Sequence, residues 1–99
     1  MKIVAYAADA ALYCVACAHD LYGVNPTDPA DPEHRDREGN PVHPVFEDAH
    51  SDQPEHCNAC QTLLAIGLSP EGEQYVQKLA ARGPVPDAWR GEWPWLFDR

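Results

Sequence analysis

Four cysteines, arranged as two C-x-x-C pairs, are the residues of this sequence with the most specific chemistry. Cys14 and Cys17 form the first pair and Cys57 and Cys60 the second, which accounts for every cysteine in the chain. A C-x-x-C turn presents two thiolates to one side of a metal ion, while its backbone N–H groups point at the sulfurs. Two such turns complete the tetrahedral shell that Zn²⁺ prefers. The pattern therefore predicts one Zn²⁺ per chain, held by four thiolates.

Three other uses of the cysteines remain open from the pattern alone. Two disulfides would form in an oxidising compartment. One pair could be a thioredoxin-like redox centre, although that needs a βαβ fold for which this chain is short. Iron in a rubredoxin-like site would use the same four ligands. The long segment between the pairs, residues 18–56, does not exclude a shared ion, because loop closure costs only about 0.6 kcal/mol more per doubling of length.

A four-cysteine shell leaves no position for water or substrate, so we predict a structural ion. Rubredoxin-type turns usually have glycine after the second cysteine, whereas Ala18 and Gln61 stand there in this sequence. A turn that passes directly into a helix needs no left-handed residue. We therefore predict that at least the second pair opens a helix, as in treble-clef zinc fingers, where the helix N-terminus also favours thiolate charge.

The histidines and the acidic segment are weaker candidates for chemistry. His19 and His56 lie too close along the chain to the cysteines to chelate the same ion, and the other three histidines lie between the pairs. We expect solvated or locally hydrogen-bonded histidines. The segment "HPVFEDAHSD", residues 43–52, does not have the spacing of the helical H-E-x-x-H zinc motif. The chain is therefore predicted not to be an enzyme.

Length and composition predict one small domain over residues 1–99, and the two cysteine pairs predict that this domain binds zinc. Apolar residues make up 44% of the chain and charged residues 23%, which is typical of globular proteins. Residues 24–56 hold six of the ten prolines and nine of the sixteen acidic residues, which predicts an irregular acidic loop. Within it, Pro41 and Pro44 confine any strand to the edge of a sheet.

Local patterns predict the elements that position the cysteines. Alternating residues 2–7 predict a strand, and a short helix is expected to begin within the first pair and end at Gly23. The apolar residues 63–68 predict a helical turn or a buried strand. A clearer helix over residues 70–82 has Ser69 as its N-cap. The predicted fold is a small α+β zinc domain, treble-clef or zinc-ribbon-like.

The C-terminal tail, residues 84–99, contains all three tryptophans and is predicted to be extended. We expect Trp89, Trp93 and Trp95 to fold back over the strand and the helix at 70–82. The alternative is a docking segment for a partner or a second subunit, because tryptophan is enriched at interface hot spots.

The charge balance limits the classes of partner. With 16 acidic and 7 basic side chains, the formal charge of −9 disfavours phosphate backbones and anionic membranes. Asp9 interrupts the apolar N-terminal run, so we expect no signal peptide and a cytoplasmic protein. The predicted function is that of a non-enzymatic accessory or regulatory protein that binds a basic protein surface. The alternatives are nucleic-acid or transcription-linked binding through the zinc finger, and a small metal-dependent enzyme.

Three segments, "YCVAC", "NPVHPVFEDAHSDQPEHCNAC" and "LSPEGEQYVQKL", together resemble a group of small uncharacterised proteins encoded in prokaryotic and phage genomes. The pattern of that group is Y-C-x-x-C near the N-terminus, an acidic stretch, P-x-H-C-x-x-C, and a helix near a Tyr-Val pair. The resemblance covers residues 1–80. It implies a zinc site formed by Cys14, Cys17, Cys57 and Cys60, and it implies no activity.

Overall fold

The computed structural model of this protein describes residues 2–25 and 34–97. Residues 26–33 of the predicted loop and residues 98 and 99 of the predicted tail lie outside the described residues. The fold is the predicted small α+β type, with short strands and a few helices. In chain order the elements are β1 Ile3–Ala8, β2 Ala11–Tyr13, α1 Val15–Tyr22, β3 His43–Phe46, β4 His50–Ser51, β5 Gly67–Leu68, α2 Pro70–Arg82, α3 Asp87–Glu92 and a 3₁₀ helix Pro94–Leu96.

An antiparallel sheet in the order β2-β1-β3 forms the N-terminal part of the fold. β1 confirms the strand predicted over residues 2–7. It turns into β2 at Asp9 and Ala10, whose positive φ angles of 49° and 59° suit a two-residue hairpin. β3 contains Pro44 and lies at the edge of the sheet, as the missing N–H of proline requires. β2 ends at Tyr13, so the first cysteine pair begins at the residue that follows the sheet.

Helices α1 and α2 form where their capping residues predict. The N-cap of α1 is Cys14, and Gly23, with φ 78°, ends it by donating its N–H to the His19 carbonyl. Ser69 caps α2 by accepting the N–H of Gly72 at 3.0 Å. Both helices thus confirm the predicted positions. Each described helix is too short or too polar to cross a membrane.

The C-terminal tail is helical, so the prediction of an extended tail is wrong. Trp89 and Trp93 lie four residues apart and Leu96 three further on, which places them on one side of α3 and the 3₁₀ helix. Pro94 occupies the start of the 3₁₀ helix, where its missing N–H has no cost. Packing of this apolar face against α2 favours a helix over the predicted extended chain.

Two clusters of buried side chains form the interior of the described residues. The first, which we call the sheet core, contains Ala5, Tyr6, Ala8, Tyr13, Ala18, Val24, Val42, Cys57, Leu64 and Ile66. The second, the helical core, joins Val76 of α2 to Trp89, Trp93 and Leu96. The tail was expected to cover both the strand and α2. Among the described residues, it packs with α2 and with Leu63 and Leu68, and no β1 residue belongs to the helical core.

Candidate metal centre

The four cysteine sulfurs converge at one point of the fold. All four Sγ atoms lie within 4.8 Å of one another, and those of Cys14 and Cys60 are 3.8 Å apart. Tetrahedral Zn–S bonds of ~2.3 Å require sulfurs about 3.8 Å apart, so the cluster has the size of a four-thiolate site. All four cysteines are free thiols. In the described part of the chain, no other group of three or more His, Cys, Asp or Glu side chains converges in this way.

The first pair is positioned by the junction of β2 and α1. Tyr13, the last residue of β2, pairs with Tyr6 across the sheet, and the helix begins two residues later. Cys14 Sγ accepts the N–H of Cys17 at 3.4 Å, while the Cys14 carbonyl accepts the Ala18 N–H at 2.9 Å. The sulfurs of the pair therefore lie at the N-terminus of α1, where the helix dipole favours negative charge.

The second pair lies in a tight hairpin turn, and the prediction that it opens a helix is wrong. The Cys57 N–H donates to the Thr62 carbonyl at 2.8 Å, and the Gln61 N–H donates to the Cys57 carbonyl at 2.9 Å. Gln61 closes the turn with φ 67°, the conformation that glycine usually provides. The absence of glycine did not indicate a helix here, because a glutamine can adopt this conformation at a cost of about 1–2 kcal/mol.

Asn58 attaches this hairpin to β2 and so brings the two pairs together. Its N–H donates to the Leu12 carbonyl at 2.8 Å, and its Nδ2 lies 3.3 Å from the Tyr13 hydroxyl. Tyr13 directly precedes Cys14, and Asn58 directly follows Cys57. No sequence pattern predicts this role for Asn58, although an asparagine inside a C-x-x-C turn is a polar residue able to make such contacts.

Burial and hydrogen bonding shift the pKa values of Cys17, Cys57 and Cys60 in different directions. Burial raises the pKa of Cys57, but backbone N–H groups of Cys14 and Cys60 outweigh it and bring the value to about 6. The Thr62 hydroxyl, whose oxygen is 3.3 Å from Cys60 Sγ, and the Thr62 N–H lower the pKa of Cys60. Hydrogen bonds to the sulfurs of Cys14 and Cys57 raise the pKa of Cys17 to about 12. Without a metal, thiolate charge is therefore favoured on Cys57 and Cys60 over Cys17.

The cluster reaches the protein surface on one side. Cys57 is fully buried and belongs to the sheet core, whereas Cys60 is exposed. Cys14 and Cys17 are half-buried. A cation can therefore reach the sulfurs without opening the core. Once bound, it would ionise the thiols that carry protons in its absence.

The histidine next to the second pair contacts the tail. His56 Nε2 accepts the Trp89 indole N–H at 3.3 Å, and the two ring centroids are 6.2 Å apart. His19 lies on the surface near Asp20. Neither side chain belongs to the four-cysteine cluster. The contact between His56 and Trp89 was not predicted, because the two residues are distant in sequence.

Carboxylates of the acidic loop cap local turns. Asp36 Oδ1 accepts the N–H groups of Glu38 and Asn40, and its Oδ2 accepts the Asp9 N–H at 2.9 Å. Hydrogen bonding from the Asp9 N–H, followed by that from Asn40, holds the pKa of Asp36 below its usual value. Asp9 Oδ1 in turn accepts the Arg37 N–H. These carboxylates thus order the loop beside the β1–β2 hairpin.

The three tryptophans predicted as partner-binding residues occupy different environments. Trp89 and Trp93 are buried in the helical core, with 7% and 4% of their surface exposed. Trp95 is 59% exposed, and its indole N–H donates to Glu73 Oε2 at 3.0 Å. Only Trp95 among the three thus offers a large apolar surface to another molecule.

Comparison of the chain with protein-family models, with curated proteins and with solved structures gives no match. The resemblance to small prokaryotic and phage proteins therefore assigns no family to this chain. Its function has to be argued from the geometry of the four-cysteine cluster and from the surface around it.

Proposed function

We propose that the chain is a zinc-stabilised, non-enzymatic binding protein whose four cysteines hold one structural Zn²⁺. The observation that carries this proposal is the convergence of four sulfurs within 4.8 Å, on two turns of the type that binds zinc. Thiolates are soft ligands that select zinc, iron–sulfur clusters and Cu(I) over calcium or magnesium. Of these, zinc is the one that has no redox chemistry and therefore requires no electron donor or acceptor.

Metal analysis separates zinc from iron. Protein purified without added metal should contain one Zn²⁺ per chain and no iron, measured by elemental analysis on samples of known concentration. A visible thiolate-to-iron absorption band would identify an iron site of the same geometry. Protein with neither metal in stoichiometric amount, and with disulfides detected by mass spectrometry, would refute the proposal.

A structural role follows from the number of ligands. Four protein ligands saturate tetrahedral zinc, so no coordination position remains for a water or a substrate. In the described part of the chain, no second group of metal-binding side chains lies nearby. The protein would then act by binding another molecule through its surface, which the metal holds rigid.

That surface is strongly acidic. Four thiolates contribute −4 and the ion +2, so the centre adds about −2 to the formal −9 and brings the total to about −11. We propose a protein partner with a basic surface in the cytoplasm, because opposite charges speed encounter, whereas the like charge of a nucleic acid is repelled. Trp95, which is 59% exposed, would supply the apolar contact. Tyr75, which is 41% exposed, lies on α2, the helix against which the tail packs.

The test compares tagged wild-type protein with the variants Trp95→Ala and Trp95→Phe. A specific partner should co-purify with the wild type, bind less to Trp95→Ala, and be partly retained by Trp95→Phe. Binding should weaken as salt rises, because it depends on opposite charges. Equal amounts of co-purified partner with all three proteins would show that Trp95 is not part of the interface. Affinity for DNA that falls steeply with salt would favour nucleic-acid binding instead.

A further inference from the structure

The residues that flank the second cysteine turn also contact the helical core. His56 and Leu63 form an antiparallel bridge that closes the hairpin around Cys57 and Cys60. We propose that this bridge couples the metal centre to the tail, so that metal binding and the packing of Trp89 strengthen each other. The proposal rests on the proposed zinc site. It goes further by assigning a coupling role to residues that are not ligands.

The first contact in this route is between His56 and Trp89. The Trp89 side chain is 7% exposed, and its indole N–H donates to His56 Nε2 at 3.3 Å. If the hairpin around the cysteines shifts, this largely buried N–H loses its acceptor, which is unfavourable. His56 directly precedes the ligand Cys57, so the position of the ring depends on the ordering of the turn.

The second contact is made by residues 63–68, the segment that follows the turn. Leu63 and Leu68 pack against the helical core, whereas Leu64 and Ile66 are buried in the sheet core with Cys57. One short segment therefore divides its side chains between both cores. Because the Cys57 N–H donates to the carbonyl of Thr62, the residue just before Leu63, the turn and this segment are held together.

Helix α2 has attachments that do not pass through the turn. The Ser69 N–H donates to the Ser51 carbonyl at 2.9 Å, and the Ser69 hydroxyl lies 2.6 Å from Asp52 Oδ1. The tail contacts both α2 and the His56–Leu63 bridge, and the contact with the bridge is made by Trp89 of α3. We therefore expect α3, rather than α2, to respond to the metal.

Coupling between two sites is reciprocal, so a change at Trp89 must alter metal affinity. The experiment measures the Zn²⁺ affinity of the full chain by competition with a chromophoric chelator. Trp89→Phe keeps an aromatic ring but removes the N–H donor. The matched control is Trp95→Phe, which removes an N–H that donates to Glu73 of α2 and not to the hairpin. A net hydrogen bond corresponds to a change of about two- to tenfold.

We expect Trp89→Phe to weaken Zn²⁺ binding about two- to tenfold and Trp95→Phe to change it less than twofold. His56→Leu should have an effect similar to that of Trp89→Phe, and the double variant should be no weaker than either single one. Hydrogen exchange in the zinc-loaded proteins adds a second readout. The Trp93 amide, which donates to the Trp89 carbonyl at 2.9 Å, should exchange faster in both single variants and not in Trp95→Phe.

The outcomes separate failure of the coupling from failure of the zinc site. A parent chain that binds no Zn²⁺ would refute the proposed function. Normal Zn²⁺ affinity in Trp89→Phe, or additive effects of the two substitutions, would overturn the coupling and leave the zinc site intact. If Trp89→Phe does not fold, His56→Leu and His56→Gln decide. The coupling predicts weaker binding for leucine than for glutamine, which can still accept the indole N–H, and equal affinities would overturn it.

Discussion

Replacing Gly72 by alanine tests how closely α2 approaches β4. A Cβ at this position would lie 2.5 Å from the Ser51 carbonyl oxygen and 3.1 Å from Leu68 Cδ2. Real Cβ atoms do not approach other atoms as closely as 2.5 Å, so the backbone has to move. The Ser51 oxygen also accepts the Ser69 N–H at 2.9 Å, and moving it would weaken that bond. Gly72→Ala should therefore destabilise the fold.

The expected size follows from two opposing effects. Overpacking a tight site costs about 1–3 kcal/mol, and contact with backbone places this site in the upper part of that range. Alanine is better than glycine in a helix by at most about 1 kcal/mol. The free energy of unfolding should fall by about 1–2 kcal/mol in sum. For a domain of this size, the melting temperature would decrease by about 5–15 °C.

Gly91 in α3 provides the matched control. Nothing lies within 4 Å of a Cβ built at this position, and its φ is not positive. Gly91→Ala should therefore keep or raise the stability, by up to about 1 kcal/mol. Both variants are compared with the parent by thermal unfolding followed by circular dichroism, with zinc in excess. A Gly72→Ala protein that melts at or above the parent temperature would show that α2 and β4 do not approach this closely.

Three further predictions concern the metal, the turn and the tail. Cys57→Ser, or excess chelator, should remove most of the cooperative unfolding transition, because structural zinc binds zinc-finger peptides with an apparent free energy of about 10–16 kcal/mol. A melting curve close to that of the parent would show that the fold does not depend on the metal. Gln61→Gly should be more stable than Gln61→Ala by about 1 kcal/mol in urea unfolding, because φ is 67° at this position. Both variants lose the contact of Gln61 Nε2 with the Asn58 carbonyl, so that contact does not affect the comparison. Equal stability would mean that residue 61 is not left-handed. Trp93→Ala should destabilise the zinc-loaded protein by about 3–5 kcal/mol, because this side chain is only 4% exposed. Trp95→Ala should have little effect, because Trp95 is 59% exposed. Equal melting temperatures for these two variants would contradict the helical core.

The elements that depend on neighbouring residues could be predicted from the sequence. Helix α2 begins at Pro70 after the Ser69 cap and ends before Gly83, as its capping residues indicate. β1 follows from the alternation of apolar residues, and Pro44 confines β3 to an edge. In each case the signal and the structure lie within a few residues of each other, so tertiary contacts have little to change.

Two predictions failed where distant contacts decide the local structure. Gln61 adopts the left-handed conformation because the hairpin is held from outside by the bond between Asn58 and the Leu12 carbonyl. Contacts of this kind can stabilise a conformation that is unfavourable for an isolated residue. The tail is helical because Trp89 and Trp93 have α2 to pack against. Neither contact is visible in the local sequence.

The sequence by itself determined which residues could hold a metal ion, because a C-x-x-C pair is a local pattern whose chemistry depends on residue type and spacing. Only the tertiary structure decided that Cys57 is buried while Cys60 is exposed, and that His56 of the second turn meets Trp89 of the tail. These features depend on contacts between segments far apart in the chain. Such contacts are selected by the burial of apolar surface as a whole, and no short stretch of sequence specifies them.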